Sequence, residues 1–235
     1  MRRLFRNYKI ILFALLLALP YGNCLAGESE HRKVTSFDGI KVIGKISLYL
    51  KEGRDEALKV EVEGVELDEV LSDVSGNTLT VRMKPGFLRE DYDVKVWVTY
   101  RKIRDLHVSA SAHLYGQSSL GGDKLNVKVT TSGLAELEVD INNLEINAES
   151  TGELTIKGRA QTQETAVNTG GKLHAFDLQC DNVYIKVTTG GAGRVTALKL
   201  IEAFVTTAGS LRYKGNPAKQ SIKKSTGGSV SEILE

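Results

Sequence analysis

In the second half of the chain a short unit returns at a nearly constant interval: a branched or small residue, then hydroxyl-bearing residues, then glycine. It reads VTTSG at 129–133, AESTG at 148–152, VNTGG at 167–171, VTTGG at 187–191, VTTAG at 205–209 and KKSTGG at 223–228, with a degenerate copy, VSASA, at 108–112. The last residues of these units stand 18 to 21 positions apart. A period near 20 sustained over half a chain defines a repeat architecture, in which each unit buries its apolar face only against its neighbours.

Aligning the repeats on that last small residue exposes a second order inside each. Four positions upstream lie Val108, Val129, Ala148, Val167, Val187, Val205 and Lys224; six upstream lie Leu106, Val127, Ile146, Thr165, Ile185, Ala203 and Ile222. Odd offsets carry polar residues such as Asn126, Lys128, Glu145, Lys186 and Glu202. Alternation with period two places one face of each short strand in a common core. The expected fold is all-β, a right-handed parallel β-helix of about 20 residues per rung, with seven rungs spanning roughly 30 Å at about 4.8 Å each. The marker glycine is expected to permit the corner. The hydroxyl column two positions before it, Thr131 to Thr226, has inward parity and is expected to form a corner ladder, a polar groove for a glycan or peptide being the alternative. Gln163 and Thr165 weaken the middle rung and predict a register slip near 161–166. Gln220, Lys224 and Glu232 replace apolar residues in the last rung, as a terminal cap requires.

Before the repeats, residues 27–33 are polar and expected to fray. Ile40, Val42, Ile46, Leu48 and Leu50 alternate, as do Leu58, Val60 and Val62, then Leu79, Val81 and Met83, then Val94, Val96, Val98 and Tyr100, so this section is strand-rich. In Val65 to Val74, Leu67, Val70, Leu71 and Val74 recur at helical spacing and predict one short amphipathic helix ended by Gly76-Asn77. Trp97, the one tryptophan, falls on a polar strand face, either covered by the helix or a neighbouring strand or free to contact a sugar or protein. The organisation that follows is a targeting segment over 1–26, a strand-rich section over 27–103 and the solenoid over 104–235.

The targeting segment rests on Arg2, Arg3, Arg6 and Lys9, an apolar run from Ile10 to Leu19, and small residues thereafter: a signal peptide, too short in its apolar run for an ordinary membrane span. Cleavage is expected after Ala26, with lipidation of Cys24 as the rival; membrane association follows only in that second case. Loss of 1–26 moves the formal charge from +2 to −2, so no basic field remains to attract nucleic acid. Cys180 is then the one cysteine, and no internal disulfide can form.

The stretch RKVTSFDGIKVIGKISLYLKEG (32–53), SGNTLTV (75–81), the hydroxyl–glycine rungs and the late RYKGNP (212–217) together resemble the putative auto-transporter adhesin, head GIN domain family over about 32–233. The resemblance implies a secreted or surface-associated bacterial β-helical protein whose function is largely unassigned. It supplies no catalytic residues. The chain departs from the family pattern by weakening the usual Ser-Gly-Ser-Gly corner and by losing glycine from the first rung.

The residues offer little for catalysis. His113 and His174 belong to rungs three apart, and no metal-binding or cofactor motif occurs. Cys180 has no histidine beside it and reads as a buried thiol. Three positions after the marker an outward column holds Tyr115, Glu136, Thr155, His174, Arg194, Arg212 and Ser231. Arg194 and Arg212, one rung apart, could hold an acidic sugar or carboxylate, with His174, Glu136 and the more distant Trp97 as further candidate binding residues; a plain solvated face is the alternative. The expectation is an exported, non-enzymatic, adhesin-like module for a glycan or protein. The alternatives are a carbohydrate-active enzyme of the polysaccharide lyase or hydrolase kind and a structural component of the envelope that forms a homo-oligomer.

Overall fold

The computed structural model describes residues 27–89 and 91–234; residues 1–26, with the expected targeting segment, lie outside the described residues. Alternation of apolar and polar residues has set the strands. The first section contributes β1 (Glu28–Arg32), β2 (Gly39–Ile43), β3 (Ser47–Glu52), β4 (Ala57–Glu63), β5 (Val70–Ser75), β6 (Thr78–Met83) and β7 (Asp93–Tyr100). The repeats contribute β8 (Asp105–Ser109), β9 (His113–Gly116), β10 (Leu120–Val129), β11 (Leu134–Ala148), β12 (Glu153–Val167), β13 (Lys172–Val187) and β14 (Ala192–Val205). β15 (Ser210–Lys214), β16 (Lys219–Lys224) and β17 (Ser229–Glu232) finish the chain. They build a β-solenoid of about seven turns with rungs of about 19 residues.

Successive rungs pair in parallel and in register, Leu134–Ala148 on Glu153–Val167 being one such pair. The column four positions before the marker is fully enclosed in every rung but the last, Val108, Val129, Ala148, Val167, Val187 and Val205 all being 0% exposed. Each apolar side chain thus stacks on its counterpart one rung away, and burying a residue of this size contributes about 1.5–3 kcal/mol. The second corner, at Asn142 and Asn143, passes without breaking the strand; Asn142 Nδ2 donates to Asp123 Oδ1 of the preceding rung at 3.1 Å.

The parallel column also runs through the N-terminal strands, out of sequence order. β2 lies between β6 and β8, and β3 between β7 and β9, so Ile40 is in register with both Leu79 and Leu106. β4 then adds antiparallel to β7, β1 antiparallel to β4, and β5 antiparallel to β6, closing this end. At the other end β16 and β17 each have one partner strand among the described residues. Lys219, Lys223 and Lys224 line that edge, and charge there opposes pairing with a further strand. Tyr213 Oη donates to Gln220 Oε1 (3.0 Å), in keeping with the polar cap expected for the last rung.

Four local expectations are corrected. The segment Val65 to Val74 is no helix: a single 3-10 turn, Leu67–Glu69, leads into β5, which pairs with β6 from Val70↔Met83 to Ser75↔Thr78. Its β-branched residues and its two-residue connection favour a hairpin, and Gly76 (φ 54°) and Asn77 (φ 64°) form a tight turn with both centres left-handed. The polar leader is not frayed, because β1 pairs with β4 and Arg32 donates to the carbonyls of Leu67 (2.7 Å) and Val70 (2.6 Å). No slip occurs at 161–166, where β12 and β13 stay in register from Thr162 to Val167; the shifts fall between Thr155 and Gly158 and between Ala175 and Asn182. Gln163 and Thr165 do point inward, and they satisfy one another through a 2.8 Å bond from Gln163 Nε2 to Thr165 Oγ1.

The corner itself is the fourth correction. The hydroxyl column is exposed, and its residues carry the bend: Thr131, Ser150, Thr169, Thr189, Thr207 and Thr226 all have φ between 48° and 51°. Thr131 and Ser132 are the two left-handed centres of a turn closed by Gly133 N–H to the Thr130 carbonyl at 2.9 Å. A left-handed threonine costs on the order of 1–2 kcal/mol. Bonds between rungs offset that cost, such as Ser132 N–H to the Ser150 carbonyl (3.1 Å) and Thr151 N–H to the Thr169 carbonyl (3.1 Å). The marker glycine is required for a different reason: a Cβ on Gly152 would lie 2.2 Å from the Val129 carbonyl oxygen.

Gly152→Ala is therefore expected to lower unfolding free energy by about 3 kcal/mol. Gly190→Ala, at a left-handed position with open space around it, is expected to cost about 1 kcal/mol; urea denaturation measures both. Gln163 Oε1 is buried without a partner, so Gln163→Leu combined with Thr165→Val is expected to raise stability by about 1–2 kcal/mol in the same assay.

Candidate functional site

Strand register turns the outward residues into continuous files. One file begins at His31 in β1 and passes through Lys59 and Trp97 to Tyr49 and Tyr115. It continues through Glu136, Thr155 and His174 to Arg194, Arg212 and Ser231. All five residues singled out from sequence, Trp97, Glu136, His174, Arg194 and Arg212, stand in this one stripe. From Trp97 to Arg212 it covers roughly 34 Å at about 4.8 Å per rung.

Its N-terminal part is an aromatic stack. Trp97 and Tyr49 have ring centroids 5.3 Å apart at 16°, and Tyr49 and Tyr115 are 5.1 Å apart at 11°. Lys59 Nζ lies 5.3 Å from the other side of Trp97. Both faces of the indole are thus occupied, and the stack presents ring edges to solvent. His113 extends it, with its ring 3.8 Å from Tyr115. Glu136 Oε1 lies 3.2 Å from His113 Nε2, and Tyr115 Oη lies 2.8 Å from His113 Nδ1. A carboxylate only accepts, so Nε2 is the donor to Glu136, while the Tyr115 hydroxyl can donate or accept at Nδ1. Burial first, then Tyr49 and Glu136, hold the Tyr115 phenol above its ordinary range, so it stays a donor and gains no nucleophilic character.

The C-terminal part differs in charge. His174 Nε2 lies 2.9 Å from Glu153 Oε1, and Glu153 also pairs with Lys172 at 3.5 Å. Arg194 and Arg212 stand directly opposite one another, both exposed. Neither has an ion-pair or hydrogen-bond partner among the described residues. Like charges opposite one another on neighbouring strands repel, and Lys214 beside them adds a third cation, its Nζ 5.1 Å from the Phe176 ring. Tyr49, like His31 and Lys59, is a member of this stripe that sequence reasoning missed. Its signal was an aromatic between apolar neighbours, Leu48-Tyr49-Leu50, matching Val96-Trp97-Val98.

The remaining titratable groups are dispersed. His113 and His174 sit three rungs apart in separate pairings, and no group of three His, Cys, Asp or Glu suited to a metal ion occurs among the described residues. His107 lies on another face, in register with Lys41 and Lys128. Burial, and then those two lysines, hold its imidazole below the ordinary value.

The fold and the stripe define a β-solenoid that displays a continuous outward file of side chains along in-register rungs. The chain belongs to the family described as putative auto-transporter adhesin, head GIN domain, which it matches over residues 36–217. Among solved structures it is similar to a putative adhesin from Bacteroides fragilis, with a TM-score of 0.80, 19% identity, and coverage of 88% of this chain and 97% of that one. A putative lipid binding protein from Parabacteroides distasonis has a TM-score of 0.70 at 21% identity, with the same coverage of each chain. A putative adhesin from the same species has a TM-score of 0.66 at 26% identity, again covering 88% and 97%. No curated protein matches the chain.

Cys180 is enclosed in the core, 0% exposed, with its thiol 3.2 Å from the Asn182 carbonyl. Burial pushes the thiol up from 9.0 to about 12. A raised thiol favours the neutral form in the folded chain, so its contribution to stability is full below pH 9 and is lost as pH climbs towards 12. The native thiol is expected to stay unmodified by iodoacetamide at pH 8 and to react on unfolding. Cys180→Ala is expected to flatten the fall in stability between pH 9 and 10.5, as followed by urea titration.

Proposed function

We propose that the chain is an exported, non-enzymatic binding module of the cell surface or envelope, which holds an acidic glycan on the C-terminal half of the outward stripe. The observation that carries this reading is the exposed Arg194–Arg212 pair, in register and without a carboxylate partner. Two guanidinium forks one rung apart match carboxylates spaced along a uronic acid chain, and each charge-assisted contact contributes about 1.5–3 kcal/mol. His174 and Lys214 flank the pair, while Glu136 belongs to the His113 network and marks the acidic limit of the site. Trp97 enters as the anchor of the aromatic stack, which holds the rungs rigid and offers edges rather than faces. The family's adhesin description and the adhesin neighbours support a binding role. The raised Tyr115 phenol and the single carboxylate in the stripe favour binding over glycoside cleavage, which needs a pair of carboxyl groups flanking the bond.

Titration with oligogalacturonate is expected to show saturable binding that weakens at least tenfold in Arg194→Ala and by about a further tenfold with Arg212→Ala added. Binding should also fall as salt rises from 50 to 300 mM. Equal affinity of the double variant, or indifference to salt, would sink the proposal.

A further inference from the structure

The other broad face of the solenoid carries a second pair of files. One runs Glu145, Glu164, Tyr184, Glu202 and Ser221; beside it run Asn147, Ala166, Lys186, Phe204 and Lys223. Asn147 and Ala166 are short where their neighbours in the file are long, so an open groove of about 630 Å³ forms over them. Tyr184 (38% exposed) and Phe204 (42%) rise into it on adjacent rungs. Unlike Tyr49 or Trp97, neither ring is stacked on another ring among the described residues, so aromatic faces are available here. Lys186 Nζ lies 5.9 Å from the Phe204 centroid, at the far limit of a cation–π contact.

The polar groups divide by capacity. Glu164 and Glu202 have no ion-pair or hydrogen-bond partner among the described residues, whereas Glu145 is held by Lys124 at 3.3 Å. Asn147 Oδ1 is a buried acceptor at the base of the groove with no partner. One file thus carries the unpaired acceptors Glu164 and Glu202, and the other carries the donating Lys186 and Lys223 ammonium groups above the Asn147 acceptor. Two unpaired carboxylates face two lysines, so the groove is balanced in charge. An anion meets the carboxylates and a cation meets the lysines; an uncharged ligand meets neither penalty. Hydroxyl groups both donate and accept, and a pyranose ring adds an apolar C–H face that packs on an exposed aromatic.

We infer that this groove binds a neutral oligosaccharide, with Tyr184 and Phe204 as the stacking platform and Glu164, Glu202, Asn147 and Lys186 as hydroxyl partners. Tyr184 and Phe204 stand one rung and two strand positions apart, a diagonal of roughly 7–8 Å that one short run of sugar units spans. The site is independent of the arginine pair, and it stands or falls separately from the proposal made for that pair.

The test titrates the full chain with neutral hexasaccharides (maltohexaose, cellohexaose, xylohexaose and mannohexaose), with oligogalacturonate and hexalysine as charged probes, read by calorimetry and by NMR of the tyrosine rings. Saturable binding of at least one neutral hexasaccharide is expected. It should weaken at least tenfold in Tyr184→Ala and in Phe204→Ala, each checked for an unchanged thermal transition, and about threefold in Glu164→Gln. It should be unchanged in the Arg194→Ala, Arg212→Ala double variant. The inference is overturned if no neutral hexasaccharide binds, if binding survives loss of either ring, or if at this face only hexalysine or oligogalacturonate binds. It is equally overturned if Tyr184→Ala abolishes self-association of the chain rather than sugar binding.

Discussion

The molecule depends on how closely one rung can lie on the next at the corner. There the α-carbon of each marker glycine presses on a carbonyl of the rung before. The contacts that a side chain would make at Gly152, Gly171 and Gly228, at 2.2 to 2.3 Å, show that no other residue fits. Because the corner seats without a gap, the strands on either side meet in register, and like residues stack over like. Val129, Ala148 and Val167 become an enclosed file for the same reason that Arg194 and Arg212 become an exposed one. The strain of left-handed threonines is tolerated because the hydrogen bonds of the adjoining rung over-determine their conformation.

Much of this was legible from the residues alone. The period gave the rungs, and period-two alternation told inside from outside, because a strand has two faces and the core takes one. Columns of outward residues could be written down before any coordinates, which is why Arg194 and Arg212 were paired correctly. What escaped depends on contacts between distant segments. Nothing local to Leu48-Tyr49-Leu50 says that it is inserted between Trp97 and Tyr115, since that placement follows from pairing across 66 residues. The Val65 to Val74 stretch satisfies helical spacing and strand alternation alike, and the hairpin partner decided between them. The threonine column was misassigned because parity counting assumes an extended chain, and two left-handed residues at each corner reset the count.

The two broad faces present different chemistry on the same scaffold. On one, aromatic rings lie flat against each other and show only edges, and Arg194 and Arg212 are left without partners among the described residues. On the other, the rings stand apart, beside carboxylates and lysines. A solenoid permits this division because each outward position faces solvent and only its file neighbours constrain it. The core can thus stay a repetition of valine, isoleucine and leucine while the surface varies from rung to rung.

The closed N-terminal end has a further consequence. Antiparallel strands seal it, while the C-terminal edge ends on a rung that differs from its predecessors mainly in polarity. The column is therefore a ruler with a fixed zero and graduations of one rung. Between the aromatic stack and the arginine pair stand three graduations, marked by Glu136, Thr155 and His174. Inserting or deleting a single repeat there would shift the arginines by about 4.8 Å while leaving every corner and every core file intact. Distance between groups on the surface is in this fold a countable property of the gene, adjustable in whole steps and separable from the chemistry of the groups themselves.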